Sequence, residues 1–103
     1  MAAKVVALYR KPADPAAFDQ YYYETHVPIA AKMPGLRGAE ASVGGVNLLD
    51  GESPYHHAGV LSFESMEALQ AALASPEGQA AAADLAKFAT GGVDVFFFET
   101  KRL

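Results

Sequence analysis

The run Val93 to Thr100 constrains the fold most, because it is apolar in both phases of a β-strand. Successive strand side chains point to opposite faces of a sheet. Val93, Val95 and Phe97 therefore oppose Asp94, Phe96 and Phe98, and large groups fall on both sides. The run Lys4 to Tyr9 behaves likewise, with Val6 and Leu8 against Val5, Ala7 and Tyr9. In His57 to Phe63, Gly59, Leu61 and Phe63 oppose Ala58, Val60 and Ser62. A fourth strand is expected from Leu36 to Val46, with weaker patterning.

Helical segments separate these runs. Asp14 followed by Pro15 is a cap with proline at the first helical position, where its missing N–H costs nothing. The helix is predicted to reach Ala31 or Met33, and Pro34-Gly35 ends it. Pro28 lies inside it, so a kink or local loosening is expected just after His26. Ser65 caps a predicted helix from Met66 to about Ala74. Ser75-Pro76 repeats the signal before a helix from Glu77 to about Ala89, which Thr90-Gly91-Gly92 stops. The order β-α-β-β-α-(α)-β is the ferredoxin-like split arrangement. It predicts an α+β fold: a four-stranded antiparallel sheet with its helices on one face. No linker or repeat interrupts the chain, so residues 1–103 are expected to form one domain.

Helices on one side leave the other apolar face bare. Burying one Phe or Leu contributes about 1.5–3 kcal/mol, and an apolar patch of that extent marks an interaction surface. The expected partner is a second copy, giving a homodimer through the sheet face. The alternative is a monomer whose 47–56 loop covers that face.

Composition narrows the other partners. The net charge is −4 and the basic residues are scattered, so no nucleic-acid partner is expected. There is no cysteine, which excludes disulfides, thiolate nucleophiles and Cys-based zinc sites. The first apolar run is short and broken by Arg10 and Lys11, unlike a signal peptide. No segment approaches the roughly 20 apolar residues of a membrane span. A cytoplasmic protein with no membrane partner is expected.

The residues that carry chemistry cluster between Phe18 and Pro28. Positions four apart share a helix face, so Phe18, Tyr22 and His26 form a stripe that Ile29 and Met33 extend. A histidine there is either a core group held by a backbone carbonyl or the working group of a pocket. His56 and His57 point to opposite faces, so at most one shares a pocket with His26. His57 is in phase with Gly59, where a missing side chain leaves room for a ligand. Both flank a loop, and exposure is their ordinary reading. Asp84 is expected to have a structural hydrogen-bonding role. No spacing joins His26, His57 and a carboxylate into a local ligand motif; neither a metal nor another cofactor is expected.

The chain resembles the EthD family of the dimeric α/β-barrel superfamily. The matching text is Phe18-x-x-Tyr21-Tyr22-x-x-x-His26-x-Pro28, then Pro34-Gly35-Leu36-Arg37. It continues with Phe63-x-Ser65-x-Glu67-Ala68-Leu69, Ser75-Pro76-Glu77-Gly78, Asp84 and Phe88, covering nearly the whole chain. The resemblance implies the ferredoxin-like fold and dimerisation, but no defined reaction. Similar small barrels include cofactor-free isomerases, cyclases, decarboxylases and monooxygenases, and haem-linked enzymes, with an apolar pocket carrying one or two His or Tyr groups. The family histidine corresponds to His26 and its aromatic position to Tyr22, although Tyr21 and Tyr23 leave the choice of pocket tyrosine open. The resemblance thus implies His26 as general acid or base, with Tyr22 donating to a carbonyl or enolate. Tyr9, Phe18, His57, Phe63 and Phe97 are the expected substrate-binding residues. Two functions follow. One is a cofactor-free enzyme moving protons on an apolar carbonyl, lactone or polyketide-type compound, by isomerisation, cyclisation or decarboxylation. The other is a non-catalytic dimeric binding or accessory protein for a degradative oxygenase pathway.

Overall fold

The computed structural model describes residues 1–103. Strands β1 (Ala3–Arg10), β2 (Leu36–Ala41), β3 (Tyr55–Phe63) and β4 (Val93–Glu99) form one antiparallel sheet in the order β2-β3-β1-β4. Helices α1 (Pro15–Tyr21), α2 (Val27–Ala30), α3 (Met66–Ala74) and α4 (Pro76–Phe88) lie on one face of it. This is the ferredoxin-like α+β architecture that the element order implies. β2 stops at Ala41, short of Val46, and Gly44 turns the chain with a φ of +74°.

The helix starts follow the capping residues. Asp14, Ser65 and Ser75 accept backbone N–H bonds from Ala17, Ala68 and Gly78. The loosening near Pro28 falls before His26 rather than after it. Tyr22–His26 form a π-helical turn, and the Val27 N–H donates to the Tyr22 carbonyl five residues back. A proline ring crowds the carbonyl four residues earlier, here that of Glu24, so the widened turn lies on the N-terminal side of Pro28. Single π turns inside helices recur at functional sites.

The strand register explains the interior. Ala3, Val5, Ala7 and Tyr9 face the helices, and their pairing partners on β3 and β4 do the same. An aliphatic cluster at one end includes Val5, Met33, Phe63 and Leu69. An aromatic cluster at the other joins Tyr9, Phe18, Tyr22 and Phe88. Between them runs a cross-strand row of Ala41, Gly59, Ala7 and Val95. Nothing in this row is larger than valine, so the helices above it cannot be met by side chains and a cavity remains.

The opposite face carries Val6, Leu8, Val60, Phe96 and Phe98. Phe96 and Phe98 stack at 6.3 Å and are each 42% exposed. The loop between β2 and β3 does not cover them; its own Val43 and Leu49 are fully exposed. Val95 and Phe97 are also exposed although they face the helical side, because the helices pack over β1 and β3.

Candidate functional site

The cavity between sheet and helices has a volume of about 190 Å³. Its floor includes Val5, Ala7 and Tyr9 of β1 and Gly59 and Leu61 of β3. Tyr22, His26, Ala30, Ala81 and Leu85 supply the helical side. Val95 of β4 and Ala41 of β2 complete the small-residue row.

His26 is the basic group on this wall, and it is only 7% exposed. Its Nδ1 lies 3.0 Å from Oδ2 of Asp84, which is 3% exposed. The other carboxylate oxygen accepts a 2.7 Å hydrogen bond from the Tyr21 hydroxyl. Burial by itself would raise the Asp84 carboxyl. The bonds from Tyr21 and His26, with the neighbouring charges of His26 and Lys87, outweigh it and hold the carboxyl below its usual value. An ionised carboxylate only accepts hydrogen bonds. Nδ1 is therefore the donor in this pair, and Nε2 is the ring nitrogen turned away from the carboxylate. The imidazole is thus held by a carboxylate from α4, not by the backbone carbonyl of an ordinary core histidine.

Two tyrosines add hydroxyls. Burial, with Tyr23 nearby, pushes the Tyr22 phenol up to about 12. Burial, then Tyr22 and Asp84, push Tyr9 well above its ordinary value. Both remain neutral donors across the physiological range. The tip of Tyr22 rests against Gly59: a Cβ on residue 59 would lie 2.9 Å from the Tyr22 hydroxyl oxygen. The three consecutive tyrosines have three different positions. Tyr22 lines the cavity, Tyr21 reaches Asp84 and Tyr23 is exposed.

His57 is buried, against the expectation of an exposed loop-flanking group, because Tyr9, Phe18 and Tyr22 close around it. The Tyr22 ring packs 4.3 Å from it. His57 borders a surface groove with Ser42 and Tyr23 rather than the central cavity. Its Nδ1 lies 3.4 Å from the Ser42 hydroxyl, and its buried Nε2 has no partner. Burial holds its pKa below the ordinary value; His56 adds to this and Asp19 opposes it. His56, partly exposed, binds Asp19 at 2.8 Å.

Of the residues singled out from sequence, His26, Tyr22 and Tyr9 meet at the cavity. Phe18 packs in the aromatic cluster and Phe63 in the aliphatic one, while Phe97 lies on β4 outside the cavity lining. Sequence reasoning assigned Asp84 a hydrogen-bonding role without identifying its partners, and it missed Tyr21. The only local signal is an acid beside Leu85 in an alanine-rich helix. No three His, Asp or Glu side chains converge as a metal-binding group.

Residues 10–92 match the EthD domain family. An uncharacterised 11.0 kDa protein in the thcB-thcC intergenic region of Rhodococcus erythropolis is 46% identical over 95 residues, covering 91% of this chain and 90% of that one. The crystal structure of an ethyl tert-butyl ether D (EthD) family protein from Bacillus halodurans superimposes with a TM-score of 0.87 at 35% identity, covering 98% of this chain and all of the other. A dimeric ferredoxin-like protein of unknown function from Thermobifida fusca shares the fold, with a TM-score of 0.70, 19% identity, and coverage of 97% and 92%.

Proposed function

This chain belongs to the EthD family, and from that premise we propose that it is a cofactor-free acid–base catalyst acting on a small apolar carbonyl compound held between helices and sheet. The observation that carries this reading is a buried imidazole on an apolar cavity wall with its rear nitrogen bonded to a buried carboxylate. Nε2 of His26 takes a proton from the carbon next to the substrate carbonyl. The C–H electron pair becomes the enolate double bond, and the carbonyl pair moves to oxygen. The neutral Tyr22 or Tyr9 hydroxyl donates to that oxygen. Asp84 stabilises the imidazolium, which then returns the proton to the same carbon or, where a C=C bond is conjugated with the enolate, to the far carbon of that bond, so that the double bond moves and an isomerisation is complete. Positioned proton transfer of this kind contributes about 10²–10⁴-fold in rate.

The test is proton exchange in D₂O, followed by NMR, over a panel of ketones, enones and lactones. The wild type is expected to accelerate exchange next to at least one carbonyl, and His26→Ala to lose that acceleration while the ligand still binds. A protein that binds panel members and accelerates none is the non-catalytic binder instead.

The assembly proposed with this function is a homodimer through the bare sheet face. Phe96 and Phe98 are the exposed groups that support it, each offering about 1.5–3 kcal/mol on burial. Phe96→Asp with Phe98→Asp is expected to give a 10.9 kDa particle in sedimentation. A wild type that already sediments as a monomer rules the dimer out.

A further inference from the structure

We infer that the compound this cavity takes is uncharged and built on a single ring, with a carbonyl on or beside that ring. The inference rests on the proposed acid–base role of His26 and narrows its substrate class through size, charge and the placement of polar groups.

Size comes first. The cavity holds about 190 Å³. An apolar cavity of about 150 Å³ admits benzene, and one further small group occupies roughly 30 Å³. The space therefore suits one six-membered ring with one or two additional non-hydrogen atoms. Packed clusters bound it on both sides: Val5, Met33 and Leu69 belong to one, Tyr9 and Phe88 to the other. A second fused ring would have to project past these clusters towards the open side of the cavity, where Glu40, Ala82 and Val95 are exposed, and would gain little enclosure.

Charge comes second. No lysine or arginine lines the cavity, and its one charged lining residue is Glu40, itself exposed. Asp84 adds a second negative charge directly behind His26. A carboxylate or phosphate ester would enter an apolar space with two carboxylates near it and no lysine or arginine to pair with, the charge of any imidazolium at His26 being already matched by Asp84, which is unfavourable. A neutral ketone, enone or lactone meets no such penalty.

The polar groups then match one functional group. Tyr9 and Tyr22 remain protonated and offer donors, whereas Nε2 of His26 offers an acceptor. A carbonyl oxygen beside an acidic C–H satisfies both at once. The void itself depends on small residues: Ala7, Ala41 and Gly59 below, Ala30 and Ala81 above.

Titration of the protein with cyclohexanone, cyclohexanecarboxylate and anthrone, read on its alanine methyl NMR signals, tests this. Cyclohexanone is expected to shift the Ala7, Ala41 and Ala81 methyls, and the other two probes to bind at least tenfold more weakly. Ala30→Leu should weaken cyclohexanone at least tenfold by filling the space, and Ala41→Val repeats the test from the sheet side should the first variant fold poorly. The inference is overturned when cyclohexanone leaves those methyls unmoved, or when anthrone or the carboxylate binds as tightly as cyclohexanone. Binding without carbonyl-adjacent proton exchange keeps the substrate class and removes the acid–base role. Exchange confined to charged or multi-ring carbonyls removes the class and keeps that role.

Discussion

His26 and His57 flank the same tyrosine and are almost equally buried, at 7% and 4% exposed. They differ in what their nitrogens meet. His26 has an anion behind it and the cavity in front. His57 has a 3.4 Å contact to a serine on one side and nothing on the other. Burial disfavours the charged form of any imidazole, and an anion bonded directly to the ring offsets that effect; the more distant Asp19 opposes it at His57 without reversing it. The carboxylate from α4, rather than concealment from water, is what sets His26 apart from His57.

The largest test of this contrast is kinetic. Asp84→Asn is expected to slow carbonyl-adjacent proton exchange by about 10²–10⁴-fold, with ligand affinity nearly unchanged, whereas His57→Leu leaves exchange close to wild type. Equal losses in the two variants would erase the distinction. Stability gives the next largest effect. Asp84→Ala strands the Tyr21 hydroxyl and the His26 N–H, and is expected to cost about 2–4 kcal/mol in urea unfolding. His57→Leu is expected to stay within about 1 kcal/mol of wild type, because it removes an unsatisfied buried nitrogen. Ser42 keeps its bond from the Ala58 N–H in that variant.

Acid unfolding sharpens the pair further. The His57 pKa is lower in the folded chain than the ordinary value near 6.5. Below that value the unfolded chain binds the proton first, so stability is intact above about pH 6.5 and falls as pH drops through the native value. The slope reaches about 1.4 kcal/mol per pH unit for one proton. His57→Leu is expected to abolish this decline below about pH 6.5. Asp84 acts lower: its stabilisation is present above the unfolded carboxylate value near 4 and is lost as pH falls through the depressed native value. A decline near pH 6 that survives in His57→Leu would assign it to another group. The smallest effect belongs to Tyr22 between the two histidines. Gly59→Ala pushes on its hydroxyl and is expected to cost about 1 kcal/mol, with Tyr22→Phe in the same chain recovering most of that loss.

Much of the frame was legible in the sequence because local chemistry set it. Asp14, Ser65 and Ser75 mark helix starts through bonds made within three residues. The two apolar phases of Val93–Thr100 correspond to a strand exposed on both sides. Helix spacing placed Phe18, Tyr22 and His26 together, and their rings follow one another at 5.9 and 5.8 Å, the first pair stacked and the second tilted. The weak strand beyond Ala41 was not legible, since its glycines fit a strand and a loop equally well. Nor was the side of Pro28 on which the helix widens, because that depends on which carbonyl yields to the ring.

The candidate site divides in the same way. Residue pattern alone determined that His26 belongs to an aromatic, helix-borne surface beneath which a four-stranded sheet must lie. Only the tertiary structure brought Asp84 to its Nδ1 across 58 positions of chain, and Tyr21 to the same carboxylate. Only the strand register aligned Ala41, Gly59, Ala7 and Val95 into the row that opens the cavity. Spacing along a helix or strand fixes direction within one element. An empty space and a charge partner arise from how separate elements meet, and that is settled by packing of the whole chain.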